Sequence, residues 1–199
     1  MFSNLKKSFF AFLNSPRIFS GDLEKFENLF KQSQDPWNFA NSPYEKKRFK
    51  MIMKFVNSIR PQSILELGCA EGHLTGHLLS TCCDITAVDI SKTALRRAEQ
   101  MVPGVKFVLG DFTKINFTKK FSLILAPEVL YYLKETELIR FLENCHTDYL
   151  ITTGFWNQGN LLRKCDLKKI KGSWIFRLES GFPFLKITNI CLWKKYQSI

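Results

Sequence analysis

The 199-residue sequence predicts an α/β fold in which helices cover both faces of a doubly wound, mostly parallel sheet. Short apolar runs alternate with amphipathic segments along most of the chain, and the turns between them are short. Repeated strand–helix units of this kind are typical of a parallel sheet. Hydrophobic residues make up 45% of the chain and charged residues 24%, as in a globular domain. No apolar run approaches the ~20 residues that a membrane-spanning helix needs.

A helix is predicted between residues 42 and 61, ahead of the first strand. Ser42 is its expected N-cap, Pro43 its first residue, and Glu45 stands three residues beyond the cap. Pro61 follows its end. One side of the helix is apolar, and this face consists of Phe49, Ile52, Met53 and Val56.

Strands and helices alternate after this helix. The predicted strands are 63–67, 84–89, 105–111, 121–126 and 149–155. The predicted helices between them are 72–80, 91–101 and 134–145, and Ser91 caps the second of these. The last 27 residues depart from this alternation of strands and helices. There, 173–180 and 184–195 are predicted to form a closing antiparallel pair around a Gly-Phe-Pro turn.

The N-terminal segment "MFSNLKKSFFAFLN", residues 1–14, has an apolar stripe when it is drawn as a helix. Packing of this stripe onto the rest of the protein is the simplest interpretation. Peripheral contact with a membrane surface and a role as a transit peptide remain open. We expect residues 1–34 to form an N-terminal helical extension and residues 35–199 to form the main domain.

The net charge of +11 is concentrated at the two ends of the chain. Residues 1–60 carry a net +6 and residues 155–199 a net +7, whereas residues 61–154 carry a net −2. Basic ends can serve solubility alone or meet an acidic acceptor, a nucleic acid or an anionic membrane surface. The six cysteines form no C-x-x-C pair, so we expect free thiols and a cytoplasmic location.

A glycine turn follows the first predicted strand, in the segment "SILELGCAEGHLT" at residues 63–75. The spacing Gly68, Ala70, Gly72 matches neither the loop that binds nucleoside triphosphates nor the full G-x-G-x-x-G motif of dinucleotide sites. Ala70 also narrows the space in which backbone amides would hold a pyrophosphate. These features favour S-adenosylmethionine (SAM), which carries no phosphate.

Acidic residues stand at the ends of three predicted strands. Glu66 lies in the first strand, and Asp89 ends the second, 23 residues later. Asp111 ends the third, and Phe112 follows it. An acid at the end of the second strand can bind the ribose hydroxyls of a nucleoside. An acid followed by an apolar side chain, as at the end of the third strand, can bind adenine. Acidic residues at three successive strand ends together predict a SAM site at the edge of the sheet where these strands end.

The sequence resembles the class I SAM-dependent methyltransferases and, within them, the NodS-like group. The resemblance covers about residues 35–133 and rests on "DPWNFANSPYEKKRF", "ILELGCAEGHLT", "AVDIS", "GDF" and "PEVLYYL". It implies a Rossmann-like sheet with an antiparallel last strand and a methyltransferase domain at residues 35–199. It also implies SAM as the cofactor and S-adenosylhomocysteine (SAH) as its product.

The resemblance further implies a set of cofactor-binding residues. Gly68 and Asp89 are expected to hold the methionine part and the ribose, and Asp111 the adenine. Arg48 is expected to pair with the SAM carboxylate, although a solvated helix face would also explain it. Trp37 and Tyr44 are expected to cover the cofactor, with core packing as the alternative. The full set is Trp37, Tyr44, Arg48, Glu66, Gly68, Cys69, Ala70, Gly72, Asp89, Ile90, Asp111 and Phe112.

Glu128, just past the fourth predicted strand, is the expected catalytic residue. In this fold it faces the methyl group, where a carboxylate can take a proton from an acceptor amine. A helix-start carboxylate is the alternative. Tyr131 or Tyr132 is expected to line the acceptor pocket. His73 and His77 have a spacing that can hold zinc, but the pattern lacks the usual glutamate, so no metal is expected.

The expected function is N-methylation of a small-molecule amine such as an amino sugar or a glycan precursor. The chain lacks the [DN]-P-P-[YF] motif of methyltransferases that act on planar amides and base amines, which disfavours nucleic-acid bases. Methylation of RNA or protein through the basic flanks is one alternative. A catalytically inactive SAM-fold binding module is the other.

Overall fold

The computed structural model describes residues 23–81, 84–155, 174–179 and 188–195. Its strands are β1 (Ser63–Leu67), β2 (Asp84–Asp89), β3 (Lys106–Leu109), β4 (Phe121–Pro127), β5 (Thr147–Phe155), β6 (Trp174–Glu179) and β7 (Thr188–Lys195). Its helices are α1 (Leu23–Gln32), α2 (Pro43–Ile59), α3 (His73–Leu78), α4 (Lys92–Met101) and α5 (Glu135–Glu143), with a 3-10 turn at Leu130–Tyr132.

The strands form one seven-stranded sheet in the order β3-β2-β1-β4-β5-β7-β6. Strands β1 to β5 pair in parallel, with β1 between β2 and β4. Strand β7 runs antiparallel to β5 and to β6. The predicted fold class is therefore confirmed, including the closing antiparallel pair.

Side chains alternate between the two faces of β1, and each face builds its own core. Ile64 packs with residues of α2 and α3, such as Phe55 and Leu78. Leu65 packs on the opposite face with residues of α5, such as Leu138. All five residues of β1 are buried, as expected for a central strand that is covered by helices on both faces.

Helix α2 begins as the sequence predicts. The Ser42 side chain accepts a hydrogen bond from the Glu45 amide at 3.4 Å, and Pro43 is the first residue. Helix α3 begins at His73 rather than at residue 72, because Gly72 takes a left-handed φ of 85°. Strand β3 ends at Leu109, two residues before the predicted end, because Asp111 already opens the next turn.

Helix α1 packs on α4 through Glu27 and Phe30. Residues 1–22, with the amphipathic segment 1–14, lie outside the described residues, as does most of the chain after 155. The proposed boundary between residues 34 and 35 stays a prediction. Among the residues that the structure describes, no helix is long and apolar enough to cross a membrane.

Candidate active site

The glycine turn after β1 is built from three residues in left-handed backbone conformations. Their φ angles are 69° at Gly68, 50° at Ala70 and 85° at Gly72. The amides of Gly68 and Cys69 donate to the carbonyl of Val88 in β2, at 2.8 and 3.0 Å. The turn therefore folds back onto the neighbouring strand.

The backbone amides of this turn are used within the protein, which bears on the ligand it can hold. In addition to the two bonds to Val88, the Ala70 amide donates to Asp89 Oδ2 at 2.8 Å, and the Gly72 amide donates to the Cys69 carbonyl at 2.9 Å. A pyrophosphate cradle needs such amides to point at the ligand. The turn therefore fits a ligand without phosphate, and SAM is of that kind.

Asp89 lies at the end of β2 and joins the turn to the next helix. Its Oδ2 accepts from Ala70, and its Oδ1 accepts from the Ser91 amide at 2.8 Å. Burial raises the pKa of Asp89 to about 6, although these backbone amides oppose the rise. Ile90 follows it and is half-buried. The expected contact of Asp89 with a ribose stays a prediction.

Glu66 is buried under the glycine turn. Its Oε2 accepts from the Thr75 hydroxyl of α3 at 2.7 Å. Burial raises the pKa of Glu66 to about 8, so this carboxyl is largely protonated at neutral pH. Burial also raises the pKa of the neighbouring Cys69 thiol, which keeps that side chain uncharged. Both side chains are buried beside the turn.

Asp111 follows β3 and organises the turn there. Its Oδ1 accepts from the amide and the hydroxyl of Thr113, and its Oδ2 pairs with Lys114 at 3.2 Å. Burial acts to raise the pKa of Asp111, but the bonds from Thr113 and Lys114 outweigh it and lower that pKa. Phe112 packs edge-on against Phe141 of α5, with 5.7 Å between ring centres. Their expected adenine contacts stay predictions.

Aromatic side chains cover one side of the glycine turn. Trp37 packs on Phe30 and Phe39, and this group also contacts Ala70. Tyr132 meets Phe26, which lies on the same helix α1 as Phe30, edge-on with 5.2 Å between ring centres. The side chain of Tyr131 lies outside the described part of the chain. The structure therefore brings Trp37 to the turn, and its expected role of covering the cofactor, with core packing as the alternative, stays a prediction.

The loop before α2 is held by Glu71, which the sequence analysis did not identify. Its Oε2 accepts from the Asp35 amide at 2.7 Å, and its Oε1 pairs with Arg97 at 2.6 Å. Asp35 in turn accepts from two amides of its own loop. The ligand atoms of Asp35, Glu71 and His73 lie within 4.8 Å of one another, but these carboxylate oxygens already anchor the loop.

Arg48 is buried in α2 and joins two carboxylates. Its Nε donates to Glu45 Oε2 at 2.7 Å, and its Nη2 contacts the same oxygen. Its Nη1 lies 3.6 Å from Glu128 Oε1. The side chain is 3% exposed, so the alternative of a solvated helix face is wrong. Whether Arg48 also meets the SAM carboxylate stays a prediction.

Glu128 is held from β5 as well as from α2. The Thr153 hydroxyl donates to Glu128 Oε1 at 3.2 Å and accepts from Arg48 Nη1 at 3.4 Å. The other oxygen, Oε2, is buried and has no hydrogen-bond partner among the described residues. The Glu128 backbone is left-handed, with φ 58°, a strained conformation that often marks functional sites. Neither Glu45 nor Thr153 was identified from the sequence.

Burial dominates the protonation of this group of residues. It raises the pKa of Glu128, with Arg48 opposing the rise and Glu45 adding to it. It also raises the pKa of Glu45 in spite of the contact with Arg48. Burial and the Glu128 carboxylate together raise the pKa of Tyr44, so that phenol stays neutral. A carboxylate with a raised pKa holds an accepted proton more strongly than an ordinary carboxylate does.

Several known proteins with similar sequences are nodulation proteins S. The family model described as nodulation protein S (NodS) matches residues 24–149. Nodulation protein S of Azorhizobium caulinodans is 34% identical over 116 residues, which are 56% of this chain and 56% of that protein. Nodulation protein S of Sinorhizobium fredii is 30% identical over 112 residues, 54% of this chain and 52% of that protein. The chain thus spans about half the length of these curated relatives.

A solved structure shares the fold. N-methyltransferase NodS from Bradyrhizobium japonicum WM9, in complex with SAH, aligns with a TM-score of 0.71 and 19% identity. The alignment covers 86% of this chain and 98% of that chain. This likeness confirms the class I methyltransferase fold. Because the family model covers more than half of the sequence, the chain belongs to the NodS family of class I SAM-dependent methyltransferases.

Proposed function

We propose that the protein transfers a methyl group from SAM to the nitrogen of a small-molecule amine, such as an amino sugar or a glycan precursor. The observation that carries this proposal is the buried Oε2 of Glu128, which finds no partner in the described part of the chain. Glu128 directly follows β4, at the same edge of the sheet as the glycine turn. The Bradyrhizobium relative is named an N-methyltransferase, which supports nitrogen as the acceptor.

The cofactor in this proposal is held by the glycine turn and the three strand ends. Gly68 gives the methionine part a close approach to the backbone, and Asp89 serves the ribose. The Asp89 oxygens accept from the amides of Ala70 and Ser91, and carboxylate oxygens have further lone-pair capacity for a hydroxyl. The hydrogen bonds of Arg48 to Glu45 and Thr153 leave it guanidinium N–H groups for the SAM carboxylate.

The protein's part in the chemistry is proton removal, alignment and exclusion of water. When bound, SAM supplies an electrophilic methyl group on a positively charged sulfur. Glu128 Oε2 takes a proton from the acceptor ammonium, which frees the nitrogen lone pair for that methyl group. Overall, a primary ammonium and SAM yield a methylated ammonium, SAH and one proton. An alcohol gives up its proton far less readily than an ammonium does, so a carboxylate base suits an amine acceptor.

The test is the variant Glu128→Gln. Glutamine keeps the size and one oxygen acceptor of glutamate but cannot take up a proton. We expect kcat to fall by about 10²–10⁴-fold, while SAM affinity stays within a factor of a few. Turnover is followed as SAH release with a panel of amines, led by deacetylated chitin oligosaccharides. If turnover survives the substitution nearly unchanged, Glu128 has no part in proton transfer.

A further inference from the structure

Arg48 donates hydrogen bonds to the Glu45 carboxylate but makes only a longer ion pair with Glu128. Two of its nitrogens, Nε and Nη2, contact Glu45 Oε2. Its closest approach to Glu128 is 3.6 Å, from Nη1 to Oε1, which is longer than a hydrogen bond. The buried guanidinium thus faces two carboxylates and gives its hydrogen bonds to one of them.

The pairing of Arg48 with Glu45 affects whether Glu128 can accept a proton. A carboxylate that receives a whole guanidinium fork forms a strong ion pair, and that pair favours its ionised form. Because the Arg48 side chain is only 3% exposed, water would screen such a pair little. Glu128 in that position would be a poor proton acceptor.

Thr153 fixes which oxygen of Glu128 remains available. Its hydroxyl donates to Oε1 and accepts from Arg48, so it stands between the carboxylate and the guanidinium. Oε2 is left without a partner within the described residues. Within the described part of the chain, the charged or titratable groups that act on Glu128 are Tyr44, Glu45 and Arg48, all from α2.

We propose that Glu45 is a positioning residue which, by holding Arg48, keeps Glu128 free to accept the proton of the amine. This inference rests on the proposed function, because the proton belongs to the proposed acceptor. In the transfer an N–H bond of the bound ammonium breaks and an O–H bond forms at Glu128 Oε2. The electron pair of the N–H bond stays on nitrogen.

The variant Glu45→Gln changes Glu128 in a defined direction. It removes a negative charge that disfavours ionisation of Glu128, and it releases Arg48 toward Glu128. Both effects favour the ionised form, so the midpoint of Glu128 titration should fall by roughly 1–3 pH units. The variant Glu45→Asp, one methylene shorter, weakens the hold on Arg48 without removing the charge. Its shift should have the same sign and a smaller size.

The midpoint can be measured without any turnover. Protein labelled with ¹³C at the glutamate side-chain carboxyl is titrated by NMR, and the Glu128 signal is identified by its absence from Glu128→Gln. Glu99→Gln, an exposed change on α4, is the matched control and should leave the midpoint in place. An unchanged midpoint in both Glu45 variants overturns the proposal. Thermal melting shows whether each variant is folded. If Glu45→Gln does not fold, the midpoint measured in Glu45→Asp tests the proposal.

A double-mutant cycle with Arg48→Met separates positioning from a direct charge effect. Without a guanidinium to release, Glu45→Gln should move the Glu128 midpoint much less than it does in the wild-type background. An equal shift in both backgrounds means that Glu45 acts directly, which contradicts the positioning role. In turnover with deacetylated chitin oligosaccharides, the acidic limb of the pH profile should move with the midpoint. If wild-type protein methylates no amine, the proposed function fails while the titration still decides the role of Glu45.

Discussion

Gly68 closes the turn after β1 at a point where no side chain fits. Its φ is 69°, and a Cβ built on it would lie 2.3 Å from Cγ1 of Val129. Val129 directly follows Glu128, so this contact joins the glycine turn to the proposed catalytic residue. Glycine at this position therefore lets two strand ends approach each other.

Gly68→Ala should destabilise the protein by about 2–5 kcal/mol. Left-handed backbone costs a non-glycine residue roughly 1–2 kcal/mol, and overpacking against Val129 adds about 1–3. Urea denaturation measures the loss. Gly76→Ala is the matched control, because Gly76 lies within α3 and its Cβ would meet Val102 at an ordinary 3.7 Å. That change should stabilise by about 0.5–1 kcal/mol, and a loss at both positions would count against this explanation.

The sequence predicts individual site residues unevenly. Local sequence patterns predict that Gly68, Asp89 and Glu128 lie at strand ends, because a turn and its flanking strand are contiguous in the chain. The hydrogen bond between Arg48 and Thr153 joins residues 105 positions apart, and no local pattern encodes it. The bond between Glu45 and Arg48 spans three positions on one helix, and an i, i+3 pairing of opposite charges was the available signal.

The Glu27 carboxylate of α1 binds the start of α4. Glu27 accepts from the hydroxyls of Ser91 and Thr93, at 2.7 and 2.6 Å, and from the Thr93 amide at 3.2 Å. Burial acts to raise the pKa of Glu27, but these hydrogen bonds outweigh it and lower the pKa from 4.5 to about 2. A negative charge at this end of α4 is also favoured by the helix dipole.

Glu27→Gln should lower the free energy of unfolding at neutral pH by about 1–2 kcal/mol, since hydrogen bonds to a charged group are lost. The lowered pKa sets the pH dependence. The contribution is present above about pH 4.5 and disappears as the pH falls toward about 2. Denaturation of wild type and variant across this window should therefore converge at low pH. Glu24→Gln, an exposed change on the same helix, should show no such trend, and a constant difference at Glu27 would contradict it.

Among the secondary-structure elements, the presence of the buried strands was predicted best, and the exact residues at which strands begin and end were predicted least well. Strands β1 and β2 have the predicted bounds, because continuous apolar runs between turn residues define them. Strand β3 is shorter than predicted, since Asp111 accepts the bonds of a turn instead of continuing the strand. Strand β5 begins at Thr147, two residues before the predicted start, because pairing with β4 extends it over two polar residues.

Across the whole molecule, the parallel sheet brings residues that are far apart in the sequence to one edge. Strands β1, β2 and β4 carry the glycine turn, Asp89 and Glu128 at their carboxyl ends. This convergence follows from strand direction alone, so the sequence could predict it once the alternation was recognised. We expect acceptor specificity to come from peripheral segments, because these vary independently of the fold.

SAM and SAH should bind with micromolar affinity, on the order of 7–8 kcal/mol, and raise the melting temperature. Asp89→Ala should weaken binding by roughly 1–3 kcal/mol, because ribose hydroxyls would lose their partner. It should also destabilise the unliganded protein, since Asp89 holds the amides of Ala70 and Ser91. Calorimetry gives the affinities. Asp84→Asn, at the exposed start of the same strand, is the control and should bind normally. The absence of both heat and thermal shift would contradict the assigned site.

The site of methylation tests the central claim most directly. Protein is incubated with SAM carrying a ¹³C methyl group and with deacetylated chitin oligosaccharides, and the product is examined by ¹³C NMR. The account predicts an N-methyl signal, with one SAH released for each methyl group transferred, and loss of both in Glu128→Gln. A methyl signal on oxygen, or no transfer to any amine by protein that demonstrably binds SAM, would contradict it.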